Sequence, residues 1–166
     1  MEPRWLTDDE MAAWLRLVAV VELLPGVLDG QLRRDAALTH FDYHVLAMLS
    51  EAPQRTLRMT ELATRTNATL PRLSHVVRRL EERGLVERAP CPYDGRATNA
   101  RLTADGWAKV RETAPGHLAT VREHVFDALT PEQVSQLEAI AGAVLERLDP
   151  EGRVAVGIEA AARRRG

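Results

Sequence analysis

Residues 69–106 read TLPRLSHVVRRLEERGLVERAPCPYDGRATNARLTADG, and they open with an amphipathic helix. One face is apolar at the spacing i, i+3, i+4 and i+7, which predicts contact with a core; it comprises Leu73, Val76, Val77 and Leu80. Thr69 is placed to cap this helix, and Pro71 falls in the first turn, where a proline costs no intrahelical N–H. Gly84 tolerates the left-handed conformation, so we expect the helix to end there.

The opposite face of this helix is polar and basic. It carries Pro71, Ser74, His75 and Arg78, with Arg72 and Arg79 on its flanks. Short donors and arginines near the N-terminal half of a helix are the residues that read base edges in a DNA major groove. These six residues and the cap Thr69 are therefore candidate DNA contacts. The alternative is a solvated face on which the arginines pair with Glu81 and Glu82.

Two short strands joined by a basic turn follow the helix. Residues 85–88 and 99–102 have the composition of strands, and the Asp94-Gly95 pair between them is turn chemistry. A hairpin directly after a basic helix is a wing. Arg96 at its tip is predicted to enter a minor groove, where narrow A·T stretches concentrate negative potential. Asp94 is predicted to hold the Arg96 guanidinium in a bidentate pair. The alternative is an ordinary surface hairpin with an incidental ion pair.

The charge of the chain is unevenly distributed. Residues 54–104 hold ten arginines and five acidic residues, a net charge of +5, so the remaining residues carry −7 of the total of −2. A basic module in an acidic frame is the electrostatic footprint of a nucleic-acid-binding protein. The length of 166 residues corresponds to one domain with a substantial core.

Long helices frame the basic module on both sides. Capping-box residues at Thr7 and Thr130 predict the starts of the first and last of these helices. Pro25-Gly26 is expected to kink or break the first helix, and Pro115-Gly116 to kink the one that begins at Thr103 and runs on through Phe126. The last helix is expected to bury one apolar stripe, comprising Val134, Leu137, Ile140, Ala141, Val144 and Leu148.

Four short blocks occur in order along the chain. They are Met59-Thr60-Glu61-Leu62-Ala63, residues 80–88 (LEERGLVER), Asp94-Gly95-Arg96, and Leu102-Thr103-Ala104-Asp105-Gly106. With their spacing, these blocks resemble the MarR family (multiple antibiotic resistance regulators), winged helix-turn-helix proteins of bacteria, over residues 6–148. The chain departs from many relatives in carrying Ala97 after Arg96, where they have further basic residues.

The resemblance implies a single domain over residues 1–166, mainly α with a small two-stranded β wing. A winged helix-turn-helix at 39–103 would lie between dimerisation helices at 6–35 and 104–148, followed by a tail at 151–166 that is frayed or helical. It further implies a homodimer that binds pseudo-palindromic double-stranded DNA as a transcriptional regulator, expected to be a repressor. No cofactor is expected.

The resemblance also implies a cleft for a small effector, often an aromatic anion, between the dimer helices and the winged module. The residues expected to line it are Trp14, His40, Tyr43, His44 and His117. Each histidine has the alternative of being structural or solvated. A second alternative is a zinc site made by His40 and His44 with His117 or His124, although no cysteine or carboxylate stands at an obvious companion spacing.

Cys91 offers a third way to sense a signal, through oxidation of its thiol. Arg88 and Arg96 are expected to lower its pKa, but its place between Pro90 and Pro92 in the wing favours a structural role. As the chain's single cysteine it excludes an intrachain disulfide framework.

Several other classes of protein are disfavoured by the sequence. There is no glycine-rich phosphate loop, no nucleophile elbow and no recognisable carboxylate pair, so an enzyme is not expected. We find no apolar run expected to span a membrane and no signal-peptide pattern, which predicts a cytoplasmic protein without a membrane partner. A winged helix used purely for protein–protein contact is the remaining alternative, and the charge of the module argues against it.

Overall fold

The computed structural model describes residues 3–154 and consists of six α-helices around a small antiparallel sheet. The helices are α1 (Asp8–Ala36), α2 (His40–Glu51), α3 (Met59–Arg65), α4 (Leu70–Glu82), α5 (Ala104–His124) and α6 (Pro131–Leu148). The strands are β1 (Thr56–Arg58), β2 (Val86–Cys91) and β3 (Asp94–Leu102), and short 3-10 turns cover Pro53–Arg55 and Phe126–Ala128. The expected fold, mainly α with a small β wing, is confirmed.

Threonine caps define where most of the helices begin. Thr7, Thr39 and Thr130 each form a reciprocal capping box with the third helical residue, and the Thr69 and Thr103 side chains accept a backbone N–H in the same way. At the other end of α4, Gly84 adopts a φ of 73°, as its role as a helix stop requires.

Both internal prolines lie within continuous helices. Helix α1 runs through Pro25 and α5 through Pro115, so the expectation of a break at Pro25-Gly26 is wrong. A proline removes one backbone hydrogen bond, and the remaining ladder of a 29-residue helix holds both halves together. Helix α5 ends at His124, so Phe126 lies in the following 3-10 turn and not in the helix.

The sheet has three strands in the order β1-β3-β2, where two were expected. Strand β1 pairs with β3 through Thr56↔Arg101 and Arg58↔Asn99, and β2 pairs with the other edge of β3 from Val86↔Leu102 onward. Strand β1 has three residues, too few to show the alternation that identifies a strand in sequence. Its effect is to attach the wing to the start of α3.

The core lies inside the winged module. It contains the whole apolar stripe predicted for α4, together with Leu46 and Leu49 of α2, Leu62 of α3 and Leu102 of β3. Gly106, at the start of α5, approaches the module closely, because a Cβ there would lie 2.0 Å from the carbonyl oxygen of Leu85. The Leu102–Gly106 block therefore ends in glycine for a steric reason.

The long helices leave apolar faces uncovered within one chain. Trp14 is 53% exposed on α1 and Ile140 is 63% exposed on α6. Most apolar residues of α6 and of α1 before Pro25 are likewise exposed, whereas Leu28 and Leu32 near the end of α1 are buried. The stripe predicted for α6 exists as a pattern, and the single chain leaves it uncovered. An apolar face of this extent requires a covering surface.

Helix α1 is also long and apolar enough, by length and composition alone, to cross a membrane, and little of it is buried in the chain. The expectation that no run of this kind is present is therefore wrong, because the uncovered apolar face of α1 extends over many turns. Residues 155–166 of the tail lie outside the described residues.

Candidate nucleic-acid interface

Helix α4 presents its predicted polar face to solvent. Pro71, His75 and Arg78 are exposed, and Ser74 is half-buried beside them. The Arg78 guanidinium makes two long contacts, 3.5 Å from Nη2 to Nδ1 of His75 and 4.0 Å from Nε to the Glu82 carboxylate. Neither contact fixes the side chain firmly. Arg78 therefore retains donors for an incoming base edge or phosphate.

The two flanking arginines of α4 contact α2. The Arg72 guanidinium carbon lies 4.1 Å from the centre of the Phe41 ring, and the Arg79 guanidinium forms an ion pair with Asp42. Thr69 accepts the backbone N–H of Arg72 at 3.4 Å and acts as the helix cap. These contacts give Thr69, Arg72 and Arg79 structural roles, whereas Ser74, His75 and Arg78 have none of comparable strength.

The wing tip carries Arg96 in an exposed position, as predicted. The expected bidentate pair with Asp94 is absent: Oδ1 of Asp94 accepts the backbone N–H of Arg96 at 3.1 Å. An Asp two residues ahead in a tight turn reaches the backbone more readily than the end of a long side chain. Asp94 thus shapes the turn, and within residues 3–154 no carboxylate pairs with the Arg96 guanidinium.

A basic groove separates the wing from α4. Its volume is about 230 Å³, and it is lined by residues of β1, α3, α4 and the wing, among them Arg58, Thr60, Leu70, Ser74, Arg88 and Arg96. Three arginines in a groove beside a recognition helix suit a nucleic-acid phosphate. Sequence reasoning missed Arg58, Thr60 and Arg88, because only the pairing of β1 with β3 brings residues 58–60 to the wing.

Cys91 lies in this wing and is 6% exposed. Hydrogen bonds from the backbone N–H groups of Tyr93 and Asp94, and the nearby Arg58 guanidinium, lower the pKa of the thiol, while burial opposes the shift. The expectation that Arg88 and Arg96 lower this pKa is wrong, since Arg58 of the unforeseen strand β1 occupies that place. Arg88 instead pairs with Glu81 at 2.9 Å.

The residues expected to bind an effector are only partly brought together. The rings of Tyr43 and His117 are 4.7 Å apart between centres, and those of His40 and His117 are 6.2 Å apart. Burial lowers the pKa of His40, His44 and His117, and raises that of Tyr43. Nδ1 of His117 is buried without a hydrogen-bond partner among the described residues. This cluster joins α2 to α5.

An open cleft of about 730 Å³ lies between α1, the start of α2 and α4. Of the five predicted effector residues only His40 lines it, beside residues that sequence reasoning missed, among them Asp29, Arg33 and Phe41. Trp14 precedes the first α1 residue of the cleft, Pro25, by 11 positions, about 16 Å along a helix. Within one chain, Trp14 and His40 therefore do not share this cleft.

The zinc alternative gains no support from this geometry. Across residues 3–154 no three His, Cys, Asp or Glu side chains come together in a group suited to hold a metal ion. His40 and His44 lie on one face of α2 as expected, but their nearest ionisable neighbours are each other, Asp29 and His117.

Known proteins share this architecture. A sequence profile described as the MarR family matches residues 38–97. A crystal structure of Sco3205, a MarR family transcriptional regulator from Streptomyces coelicolor in complex with DNA, is 49% identical in sequence, with a TM-score of 0.85 over 90% of this chain and 93% of that one. AbsC, a MarR family regulator of the same organism, is 40% identical, with a TM-score of 0.82 over 88% and 98%.

Curated relatives agree in class. The transcriptional repressor IacR of Pseudomonas putida is 31% identical over 107 residues, 64% of this chain. The chain spans 62% of the length of IacR and 66% of that of the Bacillus subtilis repressor YetL. Fold and site together define a winged helix-turn-helix protein framed by long helices. The chain belongs to the MarR family of DNA-binding transcriptional regulators.

Proposed function

We propose that this chain is a sequence-specific transcriptional repressor that binds a pseudo-palindromic operator as a homodimer. The observation that carries the proposal is the row formed by Ser74, His75 and Arg78 on the exposed side of α4, with Arg96 beyond a basic groove. A helix with short donors and arginine suits a major groove, and an arginine on a wing suits the adjacent minor groove. The similar Sco3205 was crystallised in complex with DNA, which supports DNA binding by this chain.

The homodimer is supported by the uncovered apolar faces of α1 and α6. A second copy of this chain would cover both faces and place two α4 helices on one side of the assembly, matching half-sites about one helical turn apart.

A transcriptional repressor acts where the chromosome is, so the cytoplasm is the expected location. Its relatives are regulators and not enzymes, and we propose no catalytic role.

Release from the operator by a small aromatic acid is the finer part of the proposal. The cleft beside His40 is lined by the Phe41 ring and by the guanidinium groups of Arg33 and Arg72. An aromatic carboxylate would bind there by taking the place of the present partners of these groups, which are Asp29 for Arg33 and the Phe41 ring for Arg72. Its volume of about 730 Å³ falls in the range of small-molecule sites. Tyr43 and His117 pack next to His40, so this cluster would respond to movement of α2.

Binding of the purified protein to DNA flanking its own coding region tests the proposal directly. Footprinting is expected to reveal a protected region with two-fold symmetry, and log Kd is expected to depend linearly on the logarithm of salt concentration. A duplex of the same composition in scrambled order serves as the control and should bind far more weakly. Equal binding to both duplexes at every salt concentration would contradict sequence-specific regulation. No salt-dependent binding at all would favour a protein–protein module.

A further inference from the structure

The first turn of α2 lies between α1 and the recognition helix α4. Its central residue is Asp42, which is 2% exposed and is the one buried carboxylate within residues 3–154. A buried charge is costly unless it is paired and hydrogen-bonded. The contacts of Asp42 therefore indicate what this turn does.

Asp42 uses its two carboxylate oxygens for different partners. Oδ2 accepts the backbone N–H of Thr39 at 2.8 Å and closes the capping box of α2. Oδ1 forms the ion pair with Nη2 of Arg79, 37 residues further along the chain on α4. One carboxylate thus fixes the start of α2 and the direction of a side chain of the recognition helix.

Two further arginines, Arg72 of α4 and Arg83 directly after it, contact the same region. Arg72 stacks on the Phe41 ring, and Nη1 of Arg83 donates to the backbone carbonyl oxygen of Ala37 at 2.9 Å. At about 100° per residue, the positions 72, 79 and 83 fall within about 40° of one another around the axis of α4. The centre of the row formed by Ser74, His75 and Arg78 lies about 110° away from them. The arginines of this helix therefore divide into a set facing α2 and one residue, Arg78, facing outward.

Helix α1 holds the turn from its other side. Oδ1 of Asp29 accepts the backbone N–H of His40 at 2.8 Å, while the other oxygen pairs with Arg33. Arg33 also lines a pocket shared with Asp42, Arg79 and Arg83. A continuous set of polar contacts thus runs from α1, through the first turn of α2, to one side of α4.

We propose that Asp42, acting through Arg79, is a positioning residue that orients the recognition helix relative to α1. Arg72, Arg79 and Arg83 contribute to DNA recognition by fixing the direction of α4, and Arg78 by contacting DNA. The inference rests on the proposed DNA-binding function. It goes beyond that function because it assigns a role in sequence specificity to Asp42, a buried acidic residue whose charge repels DNA. Two correctly oriented α4 helices are what a specific half-site spacing requires.

Asp42→Asn is the decisive variant, because the two explanations predict opposite signs. Removing a negative charge strengthens a purely electrostatic interaction with DNA. If Asp42 orients α4, the substitution weakens binding to a duplex selected by the wild type from a random-sequence pool, by roughly 2- to 30-fold. Binding to a scrambled duplex is not weakened, because it is mainly electrostatic and Asp42→Asn removes a negative charge. Unchanged or tighter binding of Asp42→Asn to the selected duplex overturns the proposal.

Glu61→Gln supplies the matched control. It makes the same change in charge within the same module, but Glu61 pairs with Arg65 on its own helix α3 and links no two elements. It is expected not to weaken binding to the selected duplex. A loss equal to that of Asp42→Asn would trace the effect to net charge and would overturn the proposal.

Arg79 supplies the test if Asp42→Asn fails to fold, as a thermal melt would reveal. Arg79→Lys keeps the charge and loses the planar guanidinium, so a positioning role predicts weaker binding to the selected duplex alone. Arg79→Gln should give the same specific loss and should not be additive with Asp42→Asn. If Arg79→Lys binds like wild type while Arg79→Gln loses affinity for both duplexes, Arg79 contacts phosphate and the proposal is wrong. If the wild-type protein itself binds neither duplex, the proposed DNA-binding function is wrong. That outcome is distinguishable from a failure of the positioning role of Asp42 alone.

Discussion

The guanidinium of Arg58 lies 3.7 Å from Sγ of Cys91, and this contact joins the end of β1 to the wing. It accompanies two backbone N–H groups, of Tyr93 and Asp94, that also point at the sulfur and lower the pKa of the thiol. The thiol is buried, so large oxidants and partner thiols have little access to it. Cys91 is therefore best explained as a small residue that closes the wing turn.

Cys91→Ser is expected to keep operator affinity within about threefold of wild type, because serine accepts the same hydrogen bonds. Peroxide is expected to leave both proteins bound to DNA, as measured by fluorescence anisotropy. The matched control is the wild-type protein treated with peroxide and then with a thiol reductant. Reversible release of the wild type by peroxide, absent in Cys91→Ser, would make this cysteine a redox sensor.

Arg96→Ala is expected to weaken DNA binding and to flatten the slope of log Kd against log salt, by roughly one unit for each phosphate that a subunit no longer neutralises. The reason is that the Arg96 guanidinium is exposed at the wing tip and has no carboxylate partner within the described residues. Arg101→Ala removes an equal charge from the same strand, but that guanidinium pairs with Glu87, so a smaller effect is expected. Unchanged affinity of Arg96→Ala at physiological salt would rule out a minor-groove contact by the wing.

Asp94→Ala should act more mildly than Arg96→Ala. The Asp94 carboxylate supports the backbone N–H of Arg96, so its loss alters the turn and leaves the charge of Arg96 in place. We expect lower affinity with an unchanged salt slope, measured in the same titrations. A salt slope that falls as far as in Arg96→Ala would show that Asp94 governs the guanidinium directly.

The local part of this architecture was predictable from sequence. The apolar stripe of α4, its cap Thr69 and its stop Gly84 are separated by a few residues, and short-range rules describe them well. Strand β1 and the Asp42–Arg79 pair were not predictable, because both depend on contacts between segments distant in sequence. The pattern of α6 was also correctly recognised, but a stripe of apolar residues does not reveal whether the chain itself or a second chain covers it.

The candidate site follows the same division. Pro71, Ser74, His75, Arg78 and Arg96 are exposed or half-exposed where helical periodicity and turn chemistry indicated. The sequence did not reveal that Arg72 and Arg79 contact α2, since both flank the polar face at positions compatible with either role. The sequence also predicted that the Asp94 carboxylate binds the Arg96 guanidinium, whereas it accepts the backbone N–H of Arg96. Residue spacing alone does not distinguish these two donors.

Arg78→Ala is expected to reduce operator affinity much more than affinity for scrambled DNA. A bidentate contact from arginine to guanine provides about 1–3 kcal/mol of discrimination against the wrong base, and the long contacts of Arg78 leave its donors available. The ratio of the two dissociation constants, measured at one salt concentration, reports this discrimination. An equal loss on both duplexes would identify Arg78 as a phosphate contact.

The buried histidines predict that acid destabilises the fold. Burial holds the pKa of His40, His44 and His117 below the ordinary value of 6.5, so below that pH the unfolded chain binds protons that the folded chain does not. The contribution of these histidines is therefore constant above about pH 7, and it falls as the pH drops through 6.5 toward the folded-state pKa values. Denaturant unfolding measured between about pH 7.5 and pH 5 checks this.

His117→Asn should flatten that profile, since it removes one of the three groups that must take up a proton on unfolding. The measurements end at about pH 5 to avoid the titration of Asp29. The hydrogen bond with Arg33 lowers the pKa of this carboxyl from its ordinary 3.8, so its ionisation changes the stability only at lower pH. A wild-type stability that rises on acidification over this range would contradict the burial of the neutral imidazoles.

An aromatic acid that releases the proposed dimer from its operator must favour a form in which the two α4 helices no longer match successive major grooves. By linkage, the operator then weakens binding of the acid by the same factor by which the acid weakens binding of the operator. We expect a member of a panel of small aromatic carboxylic acids to raise the melting temperature and the apparent operator Kd. His40→Ala should blunt both effects because His40 lines the cleft. Tyr43→Ala should blunt them because Tyr43 packs against His117, whose ring lies next to that of His40.

The fluorescence of Trp14 distinguishes where such an acid binds. Trp5 and Trp107 are first replaced by phenylalanine, so that Trp14 is the remaining tryptophan. Trp14 lies about 16 Å along α1 from the cleft of its own chain. Quenching of Trp14 would therefore place the acid near this residue, at a site that a second copy of the chain completes. Release of the operator without quenching would assign the acid to the cleft beside His40 and Phe41. If no acid of the panel changes the melting temperature or the operator Kd while zinc ions change both, the histidines bind metal and the proposed effector is wrong.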